Sequence, residues 1–296
     1  VLQQKAHETV LEINLNSIIH NLNYYRSRLK PQTKIMAMVK ATSYGSGSFE
    51  VANILQFHHV DYLAVAYSDE GVDLRKTGIT LPIMVMNPEV MNFEMMMKYR
   101  LEPEIYNFRQ LNQLSEVLKK HVGEPFKIHL KLDTGMHRLG FEEREINELV
   151  VRLNNNKHLH IQSIFSHLAG SDEAEHDGFT KLQVDRFKKM SDDIMKNFNY
   201  PIMRHILNSS GILRFSEAQY EMVRLGIGMY GFAATPNEQN HLQQAATLKT
   251  TISQIKNVAS NETIGYSRKG KLKRDTIIAT VAIGYADGIN RRLSNG

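Results

Sequence analysis

Lys40 is the residue whose sequence surroundings best suit covalent chemistry. It follows the apolar run Ile35–Val39 and precedes residues 41–47, ATSYGSG, a loop with two glycines and three hydroxyls. An apolar run of this length, bounded by turn residues, is typical of a strand buried on both faces. Desolvation at the end of such a strand favours a neutral amine, which can form a Schiff base. A lysine that ends a strand and reaches solvent is the alternative, and it is the commoner arrangement for a lone lysine.

Further polar side chains and glycines follow later apolar runs. They are Lys131, Asp133 and Arg138 in KLDTGMHRLG; Ser166 and His167; His205, Asn208, Ser209 and Ser210 in HILNSSG; and Arg224, Gly226 and Ile227 in VRLGIGMYG. Free backbone N–H groups at glycines can bind an anion such as a phosphate. A simple glycine-spaced turn is the alternative for Gly226, Gly228 and Gly231.

The elements that must position these residues alternate between strand-like and helical patterns. Eight strands in about 210 residues, separated by helices, are typical of an α/β protein of the (β/α)8 TIM-barrel type, which places its site on the loops after the strands. The predicted strands are Ile35–Val39, Tyr62–Ala66, Ile83–Met86, Glu102–Ile105, Phe126–Leu132, His160–Phe165, Met203–Leu207 and Glu221–Val223.

The helical patterns predict helices between these strands. Asn16 is a candidate N-cap for the first of them. The predicted helices are Ser17–Leu29, Asp69–Arg75, Phe108–Lys120, Glu142–Leu153 and Gly178–Lys196.

The pattern changes after Pro236. Runs that favour β-structure, Ala245–Ile255 and Thr276–Ile283, follow with no helix between them. We therefore predict a lead-in and first strand at residues 1–15, a barrel at 16–236 and the start of a C-terminal β-domain at 237–296. Because so few strands make an incomplete domain, we expect a truncated form of a longer protein.

The bulk composition excludes several classes of function. The 296 residues carry a formal net charge of +5 that is spread along the chain, and they include no cysteine. Disulfides, thiolate catalysis and cysteine metal sites are thereby excluded, and a reducing, cytoplasmic setting fits. The sequence has no apolar stretch of membrane-spanning length and no basic track that demands nucleic acid. We expect neither partner, and no metal.

The sequence resembles alanine racemase in the order and spacing of six segments. They are the lysine segment, KLDTGMHRLG, FSHLA, HILNSSG, VRLGIGMYG and VAIGYADG. The resemblance extends from Glu12 to about Arg292. It implies a pyridoxal 5'-phosphate (PLP) enzyme built from a barrel and a β-domain. It also implies interconversion of L-alanine and D-alanine for peptidoglycan, by a homodimer whose sites are shared across the interface.

The resemblance also implies roles for individual residues. Lys40 holds PLP and acts as one base, and Arg224 faces the pyridine nitrogen. Arg138 contacts the cofactor and lies near the substrate carboxylate, and Lys131 occupies a position that is often carbamylated. Further residues near the cofactor are Tyr44, Asn208, Ser209, Gly226 and Ile227 for the phosphate group and its surroundings, and His167 and His205 behind the arginine.

Racemisation requires a second base on the opposite face of the same carbon. Tyr266 matches the tyrosine that the partner subunit supplies in this family, and Tyr285 matches a second tyrosine facing the substrate. An exposed loop tyrosine is the alternative for Tyr266, and a solvent-facing lysine or one paired with Asp133 is the alternative for Lys131.

The sequence departs from the family pattern at several positions. Thr42 stands where asparagine is usual, and His137 replaces a usual glycine. The sequence ends before two later family motifs, so we expect weak PLP binding and weak racemisation. The lead-in VLQQKAHETVLEINL resembles the racemase half of a bifunctional cell-wall ligase and racemase. Alternatives on the same scaffold are a racemase for serine or a broader amino-acid range, and a PLP-binding barrel without catalysis.

Overall fold

The computed structural model describes residues 8–120 and 123–293. The chain divides into two compact units, one spanning Asn14–Ala245 and the other combining the residues up to Ile13 with those from Ala246 onwards. The domain boundaries predicted from the sequence stay a prediction.

The larger unit contains an eight-stranded parallel sheet with helices between the strands. Each of the eight predicted strands is present, with ends that differ by a few residues. In chain order, the first to eighth barrel strands are Lys34–Met38, Tyr62–Val65, Ile83–Val85, Leu101–Ile105, Phe126–Lys131, Leu159–Phe165, Met203–His205 and Met222–Leu225. The (β/α)8 fold class is thus confirmed.

The sheet curls until its two edges meet. Neighbouring strands follow the chain from the seventh strand back to the first, and the eighth then pairs with the first. Between the two edge strands, the Arg224 N–H donates to the Leu207 carbonyl at 3.0 Å. Since all strands are parallel, their carboxyl ends lie at one end of the barrel.

The five predicted helices are present with shifted ends, and the structure adds three that the sequence pattern did not indicate, Ser48–Phe57, Phe93–Lys98 and Ser209–Arg214. The cap of the first helix needs a correction. The N-cap of the first helix is Asn14, not Asn16, and its side chain accepts from the N–H groups of Asn16 and Ser17. Asn14 has the extended backbone that an N-cap requires, whereas Asn16 already lies inside the helix. The α-helices of six or more residues are Leu15–Arg26, Ser48–Phe57, Ser68–Lys76, Phe93–Lys98, Phe108–Leu118, Ile146–Asn154, Asp177–Met195 and Ser209–Arg214.

Several short helical segments complete the larger unit. Among the described residues, two α-helical turns and five 3-10 turns belong to it. They are Lys40–Tyr44, Pro236–Gln239, Val90–Asn92, Glu143–Glu145, Ala174–His176, Ser216–Ala218 and Ile227–Tyr230, the last lying between the eighth strand and Gly231. Glu142–Leu153, predicted as one helix, therefore begins as the 3-10 turn Glu143–Glu145. Among the described residues, no helix is both long enough and apolar enough to cross a membrane.

The smaller unit is built from antiparallel strand pairs. The pairs are Val10–Ile13 with Ala246–Lys249, Ile252–Val258 with Thr276–Val281, and Thr263–Ile264 with Gly270–Lys271. Short 3-10 turns at Tyr266–Arg268, Tyr285–Asp287 and Arg291–Leu293 connect or follow these strands. This strand-rich unit confirms the predicted change of pattern.

Candidate active site

A cavity of about 370 Å³ opens at the carboxyl ends of the barrel strands. That volume is within the range of small-molecule sites. The nine residues predicted near the cofactor that line it together are Lys40, Tyr44, Arg138, His167, Asn208, Ser209, Arg224, Gly226 and Ile227, and Ser210 lies beside them. Residues from five separate loops thus converge on one space.

Lys40 begins a left-handed turn directly after the first barrel strand. The four residues Ala41–Tyr44 have φ between 51° and 56°, a conformation that costs about 1–2 kcal/mol per non-glycine residue. The Glu70 carboxylate stabilises this turn, because it accepts from the Ala41 N–H at 2.6 Å and from the Ala66 N–H at 2.6 Å. The half-buried Lys40 is therefore held at the rim by a strained but anchored segment.

Two of the departures from the family pattern lie at left-handed positions. Thr42 has φ 54° and His137 has φ 52°. Asparagine and glycine adopt this conformation more readily than β-branched or larger side chains do. For His137, the Asp133 carboxylate offsets the strain by accepting from its N–H at 3.1 Å and from the Gly135 N–H at 2.9 Å.

Ser209 and the glycines after the eighth strand form a small polar cradle. The Ser209 hydroxyl oxygen accepts from the N–H groups of Gly226 at 3.1 Å and Gly228 at 3.2 Å. The Tyr44 hydroxyl approaches so closely that a Cβ added to Gly226 would lie 3.3 Å from it. Burial raises the pKa of Tyr44, so this phenol stays protonated and can donate.

Arg224 is the buried cation beneath the cavity. Its Nη1 donates to His205 Nδ1 at 2.7 Å and to the His205 carbonyl at 3.1 Å. Its Nη2 contacts the carbonyls of Ser166 and Ile206 and the Nδ1 of His167. Among the described residues, none accepts from the Nε–H. Burial lowers the pKa of Arg224 to about 10, so the guanidinium remains charged at neutral pH.

The two histidines that contact Arg224 are uncharged. Burial, followed by the positive charge of Arg224, places the pKa values of His167 and His205 well below the ordinary 6.5. His205 also stacks on Phe165, with ring centroids 4.9 Å apart and planes 3° apart. Both rings therefore accept hydrogen bonds from the guanidinium through Nδ1.

Lys131 forms a buried ion pair that the sequence did not indicate. Its Nζ lies 3.0 Å from Glu104 Oε1, and both side chains are at most 5% exposed. Burial lowers the pKa of Lys131 and raises that of Glu104, while each partner opposes the shift of the other. Whichever of the two holds the proton, the pair carries no net charge.

The remaining predicted residues lie on the surface or in the smaller unit. Arg138 is exposed at the cavity rim. Tyr266 and Tyr285 belong to the smaller unit, where they are 87% and 54% exposed. Their predicted roles stay a prediction.

Several buried polar residues inside the barrel were missed by the sequence reasoning. They are Glu102, Glu104, His129 and Ser163, with exposures of 8% or less. A signal was available, because Glu102 and Glu104 are two residues apart on one strand, as are His129 and Lys131 on the next. Period-two polar positions on strands otherwise buried on both faces indicate a polar barrel interior.

Two protein-family models match this sequence. Residues 13–234 match the model described as alanine racemase, N-terminal domain, and residues 245–296 match alanine racemase, C-terminal domain. Together the two models span the barrel and the strands that follow it.

Individual relatives agree with the family models. Alanine racemase 2 of Caldanaerobacter subterraneus subsp. tengcongensis is 36% identical, over 97% of this chain and 74% of its own. The structure of alanine racemase from Clostridium difficile 630 has a TM-score of 0.88 and 34% identity, covering 97% of this chain and 76% of that one. The structure of alanine racemase from Bartonella henselae, which has covalently bound pyridoxal phosphate, has a TM-score of 0.88 at 24% identity. It covers 97% of this chain and 79% of that one, and it supports the fold.

Proposed function

The chain belongs to the alanine racemase family, and on that premise we propose that its barrel cavity carries out PLP-dependent interconversion of L-alanine and D-alanine. One observation carries this proposal: the nine predicted site residues, which come from separate loops, line a single cavity of about 370 Å³. The resulting D-alanine would serve peptidoglycan synthesis.

The residues around the cavity fit PLP. In the cradle of Ser209, Gly226 and Gly228, a Cβ at Gly226 would lie only 3.3 Å from the Tyr44 hydroxyl. Glycine at this position lets an anionic group approach the backbone closely. The Nε–H of Arg224 is a donor without an acceptor among the described residues, which suits a ring nitrogen. Lys40, at the rim of the same cavity, would hold the cofactor covalently through Nζ.

PLP, when bound, acts as an electron sink that acidifies the α-proton of an attached amino acid. The protein supplies the groups that move this proton. Lys40 Nζ would take or return it on one face of the α-carbon. Arg224 keeps its own proton at working pH, so it donates a hydrogen bond to the ring nitrogen without transferring the proton. The cofactor would then withdraw electrons only weakly, which favours simple removal and return of the α-proton.

Tyr266 is our candidate for the second base. Inversion at carbon needs a proton donor on the face opposite Lys40, and a phenol hydroxyl can exchange a proton there. We assign this hydroxyl to the partner subunit of a homodimer, with Tyr285 near the substrate. The 87% exposure of Tyr266 leaves its hydroxyl free to meet another protomer.

The anion near Arg138 has two candidate sources. A carbamate on Lys131 is the one that the family resemblance implies. The buried Glu104, whose Oε1 lies 3.0 Å from Lys131 Nζ, is the one that the geometry favours. Burial raises the pKa of Glu104, whereas the charges of Lys131, Arg224 and Arg138 oppose this shift. Arg138 and Glu104 therefore attract each other, and Glu104 can hold Arg138 toward the substrate carboxylate.

The direct test measures proton exchange and inversion at once. The protein is incubated with PLP and L-alanine in D2O, and the α-proton signal and the fraction of D-alanine are followed by NMR. We expect both to change together, and Lys40→Ala to abolish both. A parallel incubation with L-serine separates alanine preference from a broader range. Tight PLP binding with no exchange for either amino acid would contradict the proposal.

The shared site is tested by mixing two inactive variants. Lys40→Ala and Tyr266→Phe are each expected to be nearly inactive, because each site then lacks one base. Random pairing makes half of the dimers hybrids with one intact site, so about a quarter of wild-type activity returns. If hybrids form without any recovery, Tyr266 is not the partner's base.

A further inference from the structure

A line of hydrogen bonds crosses the barrel interior from the active site toward its opposite end. Arg224 Nη1 lies 2.7 Å from His205 Nδ1, and His205 Nε2 lies 2.8 Å from Ser163 Oγ. Ser163 Oγ lies 2.6 Å from His129 Nδ1, and His129 Nε2 lies 2.9 Å from Glu102 Oε2. These five residues come from five neighbouring strands, the fourth to the eighth, and we call them the relay.

The guanidinium of Arg224 at one end and the carboxylate of Glu102 at the other give the relay one consistent set of hydrogen-bond directions. A guanidinium can only donate, so His205 accepts at Nδ1 and carries its proton on Nε2. That proton goes to Ser163 Oγ, whose own hydrogen then goes to His129 Nδ1. His129 in turn donates from Nε2 to Glu102. Each member has one role, and none can reverse alone.

The far end of the relay is anchored by charge. The pKa of Glu102 lies below its ordinary value. Burial raises it, but the hydrogen bond from His129, the charge of Lys127 and a hydrogen bond from Tyr62 outweigh burial. The Tyr62 hydroxyl donates to Glu102 Oε2 at 3.2 Å, and Lys127 Nζ lies 3.9 Å from Oε1. Glu102 is thus a carboxylate that accepts from His129 rather than donating to it.

Aromatic contacts hold both rings of the relay in place. The His129 ring meets the Tyr62 ring edge to face at 5.8 Å, as His205 stacks on Phe165. Because both rings are completely buried, water cannot replace a missing partner, and an unsatisfied group in this line is costly.

We propose that Glu102, His129 and Ser163 are positioning residues for the active site. Through the relay, the Glu102 carboxylate holds His205 in the tautomer that accepts from Arg224. The guanidinium is thereby fixed with Nε–H toward the cavity. This inference rests on the proposed function for its catalytic consequence, but the tautomers themselves do not depend on activity.

The first experiment reads the histidine tautomers directly. In protein with 15N-labelled histidine, His129 and His205 are each expected to carry a proton on Nε2 and to accept a hydrogen bond at Nδ1, in the absence and presence of PLP. Glu102→Gln should alter the His129 and His205 signals, because an amide can donate as well as accept. In a Ser163→Ala background, the same change should reach His129 but no longer His205. A His205 signal that ignores Glu102→Gln would overturn the relay.

The second experiment compares kinetics. Glu102→Gln and Ser163→Ala should each lower kcat by about tenfold, the lower end of the range for partners that orient a reactive group through another, with KM for alanine within twofold. The double variant should have the same kcat as either single variant, because one substitution already interrupts the connection between Glu102 and His205. Additive losses would overturn the relay.

Two matched variants separate the relay from general packing. Ser191→Ala removes another completely buried hydroxyl, one that donates to the Lys188 carbonyl at 3.1 Å, and should leave kcat unchanged. Ser163→Thr keeps the hydroxyl and should restore most of the activity lost in Ser163→Ala. If Ser191→Ala is as damaging, or if threonine restores nothing, the effect of Ser163 is structural. A wild-type protein without racemase activity would instead refute the proposed function and leave the tautomer result standing.

Discussion

The two sides of the barrel interior differ in chemistry. The side formed mainly by the first three strands is an apolar cluster with three methionines on those strands, built from Met36, Met38, Tyr62, Ala64 and Met84 and completed by Phe165 and Met222. The side formed by the fourth to eighth strands is polar and contains Glu102, Glu104, His129, Lys131, Ser163, His205 and Arg224, all buried.

The difference shows that one side of the barrel interior serves to pack the core and the other to position the side chains of the active site. Methionine is flexible and fills irregular space without directional bonds. The apolar side therefore fills the barrel interior but does not fix the orientation of neighbouring side chains. On the polar side, buried donors and acceptors pair with one another in place of water, and satisfied networks of this kind fix one arrangement. Arg224 lies where this network meets the cavity.

The largest effect is expected when Arg224, on the polar side, is replaced by an apolar residue. Arg224→Met should reduce racemisation at least about 100-fold, the loss typical of one preorganised donor. It should also lower the free energy of unfolding by about 3 kcal/mol, because His205 Nδ1 and several carbonyls lose their donor. Activity assays and urea unfolding measure the two losses, and an active Arg224→Met would contradict the assigned role.

The Glu104 and Lys131 pair distinguishes stability from function. Glu104→Leu leaves Lys131 buried without its partner and should lower the free energy of unfolding by about 3–5 kcal/mol. Glu104→Leu combined with Lys131→Met should regain most of this stability, because an apolar pair needs no desolvated charge, but not the activity. Recovery of both by the double variant would mean that the pair only packs.

The same pair predicts when Lys131 becomes carbamylated. With Glu104 present, the amine is occupied, and we expect no carbamate carbon signal by 13C NMR in labelled bicarbonate. Glu104→Gln removes the charge and should allow a carbamate to form on Lys131 and to support activity in a bicarbonate-dependent way. A carbamate in the wild type would assign the anion to Lys131 instead.

Protonation of His205 should give a smaller, pH-dependent effect. Its pKa in the folded protein lies well below the ordinary 6.5 because of burial and then Arg224. Below pH 6.5 the unfolded chain binds a proton that the folded protein does not, so stability falls as pH falls, by about 1.4 kcal/mol per pH unit for each such histidine. Unfolding of wild type and His205→Gln between pH 7.5 and 5 should diverge by about this slope; parallel curves would show a charged native ring.

The smallest effect is expected on the apolar side. Met84→Leu preserves volume and should cost less than about 1.5 kcal/mol of unfolding free energy, with activity within twofold. A large loss of activity would remove the contrast between the two sides.

Sequence patterns predicted the scaffold better than the interior. Each barrel strand is a short apolar run between turn residues, so local patterning sufficed. The first cap is an exception, because the pattern predicts Asn16. Asparagine also occupies position 14, and the extended backbone of Asn14 makes that residue the cap.

The remaining features depend on contacts distant in sequence. The left-handed turn at Ala41–Tyr44 opposes local preference and is stabilised by Glu70, some 29 residues away. The Glu104 and Lys131 pair joins neighbouring strands, and the relay joins five of them. Such partners are chosen by strand register, which the sequence pattern did not specify.

Reductive trapping shows whether Lys40 holds the cofactor. The protein is loaded with PLP, reduced with borohydride, digested and mapped by mass spectrometry. We predict one modified peptide, containing Lys40, which disappears in Lys40→Ala and persists in Lys34→Ala at the other end of the same strand. PLP found on a different lysine, or trapped equally without Lys40, would mean that Lys40 does not hold the cofactor.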